Sequence, residues 1–311
     1  MIEVRDLRKC YRDRPVVEGV SFSVAPGEIV GFLGPNGAGK TTTMRILTGF
    51  LTPTSGSVTV AGHDVVADPM AVKSVVGYLP EQPPLYDEMR VVEYLRFVAR
   101  MRGLSGDLAR DRVAEVLSLC SLEGAADRLL SELSKGYRQR AGIAQALVAD
   151  PQVLILDEPT SGLDPVQAAR TRELVRSLAK NRTILFSTHI LSEVEAVADR
   201  VIMMVKGRVA ADGPIQQLAA THPAERFVIR FARAVPEARQ VLSRMPGVRE
   251  VNELPVGQGH GTLVTMQTGS DLSMALIQFA VSHGWPVSEL SPQPAGLERL
   301  FFSVLHEEVR A

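Results

Sequence analysis

The chain has 311 residues with 34 basic and 35 acidic side chains, a near balance that argues against a surface built around nucleic acid. Apolar residues make up 45% and charged residues 22%, ordinary globular composition, and at about 100–200 residues per domain the length suggests two domains. Two cysteines, Cys10 and Cys120, exclude a disulfide scaffold, and no apolar run approaches the ~20 residues of a membrane span.

The opening MIEVRDLRKCYRDR is charged and carries no apolar stretch of the kind a signal peptide needs. Next, EIVGFLGP predicts a buried strand over Ile29 to Leu33, and MRILTGF a helix behind it. SVVGYLP gives a strand over Val75 to Leu79. From Asp87 to Asp150 the periodicity is almost purely helical (VVEYLRFVARMRG, LARDRVAEVLSLCSL, RQRAGIAQALVAD), which predicts a subdomain standing off the sheet. Three more apolar runs, VLILDEP, TILFSTH and RVIMMV, read as strands, with the helical stretch PVQAARTRELVRSLAK after the first. Continuous aliphatic runs suit a sheet covered on both faces, and their alternation with helices implies an α/β domain.

A boundary is expected around Asp212 to Glu225. Beyond it the order is strand (RFVIRF), helix (EARQVLSRM), two strands (VREVNEL, GTLVTMQ), helix (LSMALIQFAVSHG), strand (PVSEL) and a last helix (GLERLFFSVLHEE). This βαββαβ order resembles a small ferredoxin-like α+β sandwich. Leu297, Leu300, Phe301 and Leu305 share one face of the last helix, as core or dimer contact. His222, His260, His283 and His306 are scattered without ligand spacing, so no metal is expected there.

Chemistry concentrates before the boundary. Gly34-Pro35-Asn36-Gly37-Ala38-Gly39-Lys40-Thr41 fits GxxxxGK[ST] between a strand and a helix, with Thr42 next as a further nucleotide-binding candidate. In such a loop glycines let backbone N–H groups turn toward phosphate oxygens, where a Cβ would obstruct the turn. Lys40 reaches the β- and γ-phosphates, the Thr41 hydroxyl suits Mg²⁺, and the following helix adds the positive end of its dipole. About 115 residues on, a buried strand ends in Asp157-Glu158. Asp157 is placed to hold Mg²⁺, and Glu158 to orient and deprotonate an attacking water.

With these residues in hand, roughly positions 1 to 220 resemble the nucleotide-binding subunits of ABC transporters, which implies a P-loop NTPase fold of the ABC ATPase type. Tyr11 stands where that family stacks an aromatic on adenine. Gln82 in YLPEQPPLY matches the Q-loop glutamine, which senses Mg²⁺ and faces the membrane partner. Leu133-Ser134-Lys135-Gly136-Tyr137 stands at the LSGGQ signature, Ser161-Gly162-Leu163-Asp164 looks like the D-loop, and His189 the switch histidine. The resemblance implies Mg²⁺-dependent ATP hydrolysis in a homodimer, with Ser134, Gly136 and the D-loop completing the partner's site. It also implies integral membrane subunits encoded separately and a peripheral place at the cytoplasmic face of the membrane.

Two positions depart from the family pattern: Lys135 replaces a glycine and Tyr137 a glutamine. Lys135 either adds charge near the phosphate or points to solvent. The LSKGYRQR wording and the extra C-terminal unit (225–311) look closest to type-2 exporters of the gliding-motility and multidrug kind. Ribosome-binding relatives carry two P-loops, and DNA-repair relatives a long coiled coil between Q-loop and signature. Here one P-loop occurs, and Gln82 and Ser134 are 52 residues apart.

Overall fold

The computed structural model describes residues 1–220, 226–253, 260–266, 272–293, 297, 300 and 301. Two compact units emerge, Met1–Ile215 and Gln216–Ala311. In the first, elements run β1 (Ile2–Tyr11), β2 (Arg14–Val24), β3 (Ile29–Leu33), α1 (Lys40–Leu47), β4 (Ser55–Val60), β5 (His63–Asp64), α2 (Pro69–Val75), β6 (Val76–Leu79), α3 (Val91–Met101) and α4 (Gly106–Leu119). They continue with α5 (Lys135–Leu147), β7 (Val153–Asp157), α6 (Pro165–Leu178), β8 (Thr183–Thr188), α7 (Leu191–Val197), β9 (Arg200–Val205) and β10 (Arg208–Pro214), and α8 (Ile215–Ala220) starts on the last residue of this unit.

Six strands form the central sheet in the order β10-β9-β3-β8-β7-β6, parallel except where β10 closes the edge against β9. Every residue of β3, β7 and β8 is buried, which explains their unbroken apolar runs. Because β8 lies between β3 and β7, the loops leaving all three carboxyl ends are neighbours. Crevices at that edge are where open α/β sheets bind ligands. Helix α7 lies close on β3: a Cβ built at Gly31 would sit 2.7 Å from Val194 Cγ1.

A second sheet, β2-β1-β4-β5, is antiparallel, and no clear pattern in the sequence announces it. Its strands bury one face only, and register shifts along β1 break the period-2 alternation that would have marked it. Ile2, Val4, Leu7, Val20, Phe22, Val58 and Val60 supply its apolar face to the cluster that also holds Phe32, Met44 and Ile155. The expected strand at Val75 starts one residue later, because Asp68 caps α2 through Ala71 N–H and Pro69 opens it, so helix runs to Val75.

The second unit contains β11 (Arg226–Phe231), α9 (Ala238–Leu242), β12 (Val248–Glu253), β13 (His260–Met266), α10 (Leu272–Ser282) and β14 (Val287–Gln293). Its sheet is antiparallel in the order β12-β13-β11-β14, which is the ferredoxin-like arrangement. Phe227, Ile229, Phe231, Leu242, Val264, Leu276 and Trp285 build its core. The last expected helix falls largely outside the described residues, Leu305 and His306 included. Leu297 and Leu300 are buried.

Candidate nucleotide site

The loop from Gly34 joins β3 to α1 and wraps a cleft of ≈ 420 Å³ lined by residues 36–42 with Val16, Glu81, Glu158, Ser161 and His189. Its glycines are dictated by space and by torsion. A Cβ at Gly34 would lie 2.2 Å from the Met204 carbonyl oxygen, and Gly39 caps α1 with φ of 101° while pressed against the Val16 carbonyl. Neither position admits a side chain. The first turn of α1 lines the cleft, and the N–H groups of a helix's first turn have no partner within the helix, the arrangement that receives phosphate.

Lys40 is buried, and its ammonium donates to the carbonyls of Gly34 (2.7 Å) and Pro35 (3.2 Å). Glu158 Oε1 lies 3.5 Å away, and Glu158 Oε2 meets His189 Nδ1 at 2.9 Å. Thus the cation from α1, the carboxylate after β7 and the imidazole after β8 converge at one mouth. Glu158 has φ of 49°, a strained backbone for a non-glycine residue, fixed by its N–H bonding Ser187 Oγ at 3.0 Å.

Asp157 is fully buried, and its Oδ1 accepts from Ser187 Oγ (2.6 Å) and Thr41 Oγ1 (3.2 Å), while Oδ2 has no hydrogen-bond partner among the described residues. A buried carboxylate oxygen left open beside a hydroxyl is an all-oxygen donor set of the sort that holds Mg²⁺ together with substrate phosphates. The residues present therefore fit that ion. Tyr78 is close enough to feel Asp157: burial, and next that carboxylate, push its phenol up to about 12.

Other expected site residues lie apart from the cleft. Tyr11, half exposed at the end of β1, has the Lys9 ammonium 5.4 Å from its ring, and Val16 takes the place on the cleft wall. Gln82 is exposed in an irregular stretch, and its neighbour Glu81 lines the cleft instead. Ser134 begins α5 as an exposed N-cap whose side chain makes no capping bond, which leaves its hydroxyl available. Gly136 is buried with Gln167 Oε1 where a Cβ would stand. Asp164 caps α6 through Gln167 N–H at 2.9 Å.

The two departures acquire local partners. Lys135 reaches across to the D-loop, its Nζ occupying the place of a Cβ at Gly162, and the Tyr137 ring lies 4.1 Å under the Arg140 guanidinium. Ser187, Thr160, Thr188 and Glu193 brace the site from below, and sequence pattern alone does not single them out. For the three hydroxyl residues the only signal is their place flanking the acid pair and the histidine, and Glu193 carries none.

Comparison with known proteins agrees with this geometry. The sequence pattern described as "ABC transporter" matches residues 17–161. An uncharacterized ABC transporter ATP-binding protein, YxlF of Bacillus subtilis, is 34% identical over 98% of this chain and all of its own length. Nod factor export ATP-binding protein I of Burkholderia orbicola is 43% identical over 68% of this chain and 70% of that protein. Among solved structures, cbiO1 of Clostridium perfringens, part of the ABC transporter complex cbiONQ, superposes with TM-score 0.65 at 31% identity, covering 70% of this chain and 90% of that one. A dimeric bacterial ABC transporter cassette gives TM-score 0.63 at 25% identity over 69% and 98%. No described helix is long and apolar enough to cross a membrane.

Proposed function

This chain belongs to the ABC transporter family as an ATP-binding, ATP-hydrolysing subunit, and from that premise we propose how its residues divide the work. Lys40 exchanges its carbonyl and Glu158 contacts for the β- and γ-phosphates of ATP, while the N–H groups of residues 36–42 bind the remaining oxygens. Glu158, released from Lys40, takes a proton from water as that water attacks the γ-phosphorus. The bond to the β-phosphate oxygen breaks, leaving ADP and phosphate. His189, hydrogen-bonded to Glu158, orients the base and reaches the γ-phosphate. Thr41, Asp157 and Gln82 would hold Mg²⁺, which would neutralise phosphate charge.

What carries this reading is the convergence of Lys40, Glu158 and His189 within 3.5 Å contacts at a cleft walled by the phosphate loop and the start of α1. Tyr11 stacks on adenine. Ser134, Gly136 and Asp164 act on the ATP of a second copy, in keeping with their absence from the lining of this chain's own cleft and with the dimeric cassette it resembles. Residues 1–220 run the ATP cycle with residues 87–150 as the helical subdomain, and residues 225–311 steady the homodimer. Export is supported by the Nod factor export relatives, and the type-2 exporter subgroup by the LSKGYRQR wording of the signature stretch and the extra C-terminal unit. The protein works at the cytoplasmic face of the membrane beneath separately encoded spanning subunits, as cbiO1 belongs to a larger complex.

Two inactive variants test site completion by a second copy. Lys40→Ala and Ser134→Arg are each expected to lose turnover alone, and an equimolar mixture to regain part of it, because mixed dimers hold one intact site. A mixture as inactive as its components, although shown to form mixed dimers, would contradict the shared site.

A further inference from the structure

Behind the Glu158–His189 pair lies a buried carboxylate that the proposed mechanism does not use. Glu193, in the first turn of α7, is 5% exposed. Thr160 Oγ1 donates to its Oε1 at 2.5 Å, and Thr188 Oγ1 donates to its Oε2 at 2.6 Å. Each oxygen thus serves one of the two segments that build the catalytic mouth. Thr160 stands two residues after Glu158, and Thr188 directly before His189. Thr188 Oγ1 also accepts from Ile190 N–H at 3.0 Å, which fixes the turn carrying His189. The platform beneath is firm, since Val194 of the same helix packs on Gly31 of β3.

His189 itself is about half exposed, and burial alone does not hold its ring. The 2.9 Å bond to Glu158 therefore depends on where the ends of β7 and β8 are set relative to each other. The geometry points to Glu193 as a positioning residue: a buried clasp that ties the two segments together and keeps His189 on Glu158. Burying a carboxylate is unfavourable unless its oxygens are satisfied, and here both are, each by a hydroxyl on a different side of the site. An amide in its place accepts on one arm and must donate on the other, where the hydroxyl has to turn and accept, so the charge-assisted hold on one segment is lost.

This inference rests on the reading of Glu158 and His189 as hydrolytic residues, and the test separates the two. Full-length wild type, Glu193→Gln, Thr188→Val, the double variant and Glu158→Gln are assayed for Mg-ATP turnover and, separately, for ATP affinity. We expect kcat to fall about 10- to 100-fold in Glu193→Gln and Thr188→Val, the range for displaced supporting groups, with ATP affinity unchanged. The double variant should be no worse than the poorer single one, because both cut the same clasp. Wild-type kcat in the single variants, a loss confined to ATP affinity, or losses that multiply in the double variant would each overturn the clasp. Should Glu193→Gln fail to fold, Thr160→Val joins Thr188→Val, each removing one arm at constant shape. Wild-type kcat in both would overturn the clasp just as surely. A wild-type chain without turnover, or turnover that survives Glu158→Gln, would instead sink the hydrolytic reading.

Discussion

Removing one buried oxygen, in Ser187→Ala, loosens both acids of the site at once. Ser187 Oγ donates to Asp157 Oδ1 at 2.6 Å and accepts from Glu158 N–H at 3.0 Å, and all three residues are buried. A hydrogen bond to a charged partner contributes about 1.5–3 kcal/mol, and a buried N–H left without an acceptor costs about 1–3 kcal/mol. Thr41 still reaches Asp157 Oδ1, so the lower part of the combined range, about 3 kcal/mol, is the expected loss. The single tryptophan, Trp285, belongs to the core of the second unit, so its fluorescence reports the wrong part of the chain. Amide hydrogen exchange reads the right one. At about 1.4 kcal/mol per factor of ten, the Glu158 amide should exchange about 10²-fold faster, with β7 and β8 losing protection alongside it. Exchange at wild-type rates in these segments would refute the bracing role given to Ser187.

Three other outcomes follow from particular contacts. Gly34→Ala should lower the melting temperature and abolish ATP binding, since a Cβ 2.2 Å from a backbone oxygen forces the loop open. Gly37→Ala, with φ of 80° and open space around it, should lose only about 1–2 kcal/mol. Equal melting temperatures for the two would argue against that distinction. Burial holds the Cys120 thiol up to about 12, outweighing the nearby Arg140, so it stays protonated and inert through neutral pH and becomes reactive only as pH approaches that value. A thiol-disulfide reagent at pH 8 should therefore label Cys10 alone in the native protein and both cysteines after denaturation. Two fast thiols in the native chain would contradict it. Asp164→Ala should weaken α6 by about 1 kcal/mol through loss of its cap, seen as faster amide exchange at Gln167.

The parallel core and the phosphate loop were legible in the sequence for physical reasons. A strand covered on both faces must be apolar throughout, and a loop pressed against the carbonyls of Val16 and Met204 must place glycine at fixed positions. The antiparallel sheet was not, because β1 and β2 bury alternate residues and slip register at three places, which blurs the period. In the site, Lys40, Thr41, Asp157 and Glu158 carry chemistry that admits few substitutes, so their types and spacing speak. Ser187, Thr160 and Glu193 are ordinary surface residues in most sequences. What makes them supports is burial and pairing across 29 to 33 positions, which only the fold supplies. Tyr11 and Gln82 were marked by resemblance, and neither lies on the cleft wall of the single chain.

In the proposed mechanism hydrolysis turns on Glu158, a strained residue after β7 clamped between Lys40 and His189. Glu158→Gln keeps the shape and removes the proton acceptor, a change typically worth about 10²–10⁴-fold in rate. Single-turnover hydrolysis of pre-bound Mg-ATP measures that loss directly. If Glu158 is the base, the variant binds ATP with wild-type affinity and releases almost no phosphate. Phosphate release at the wild-type rate would contradict it.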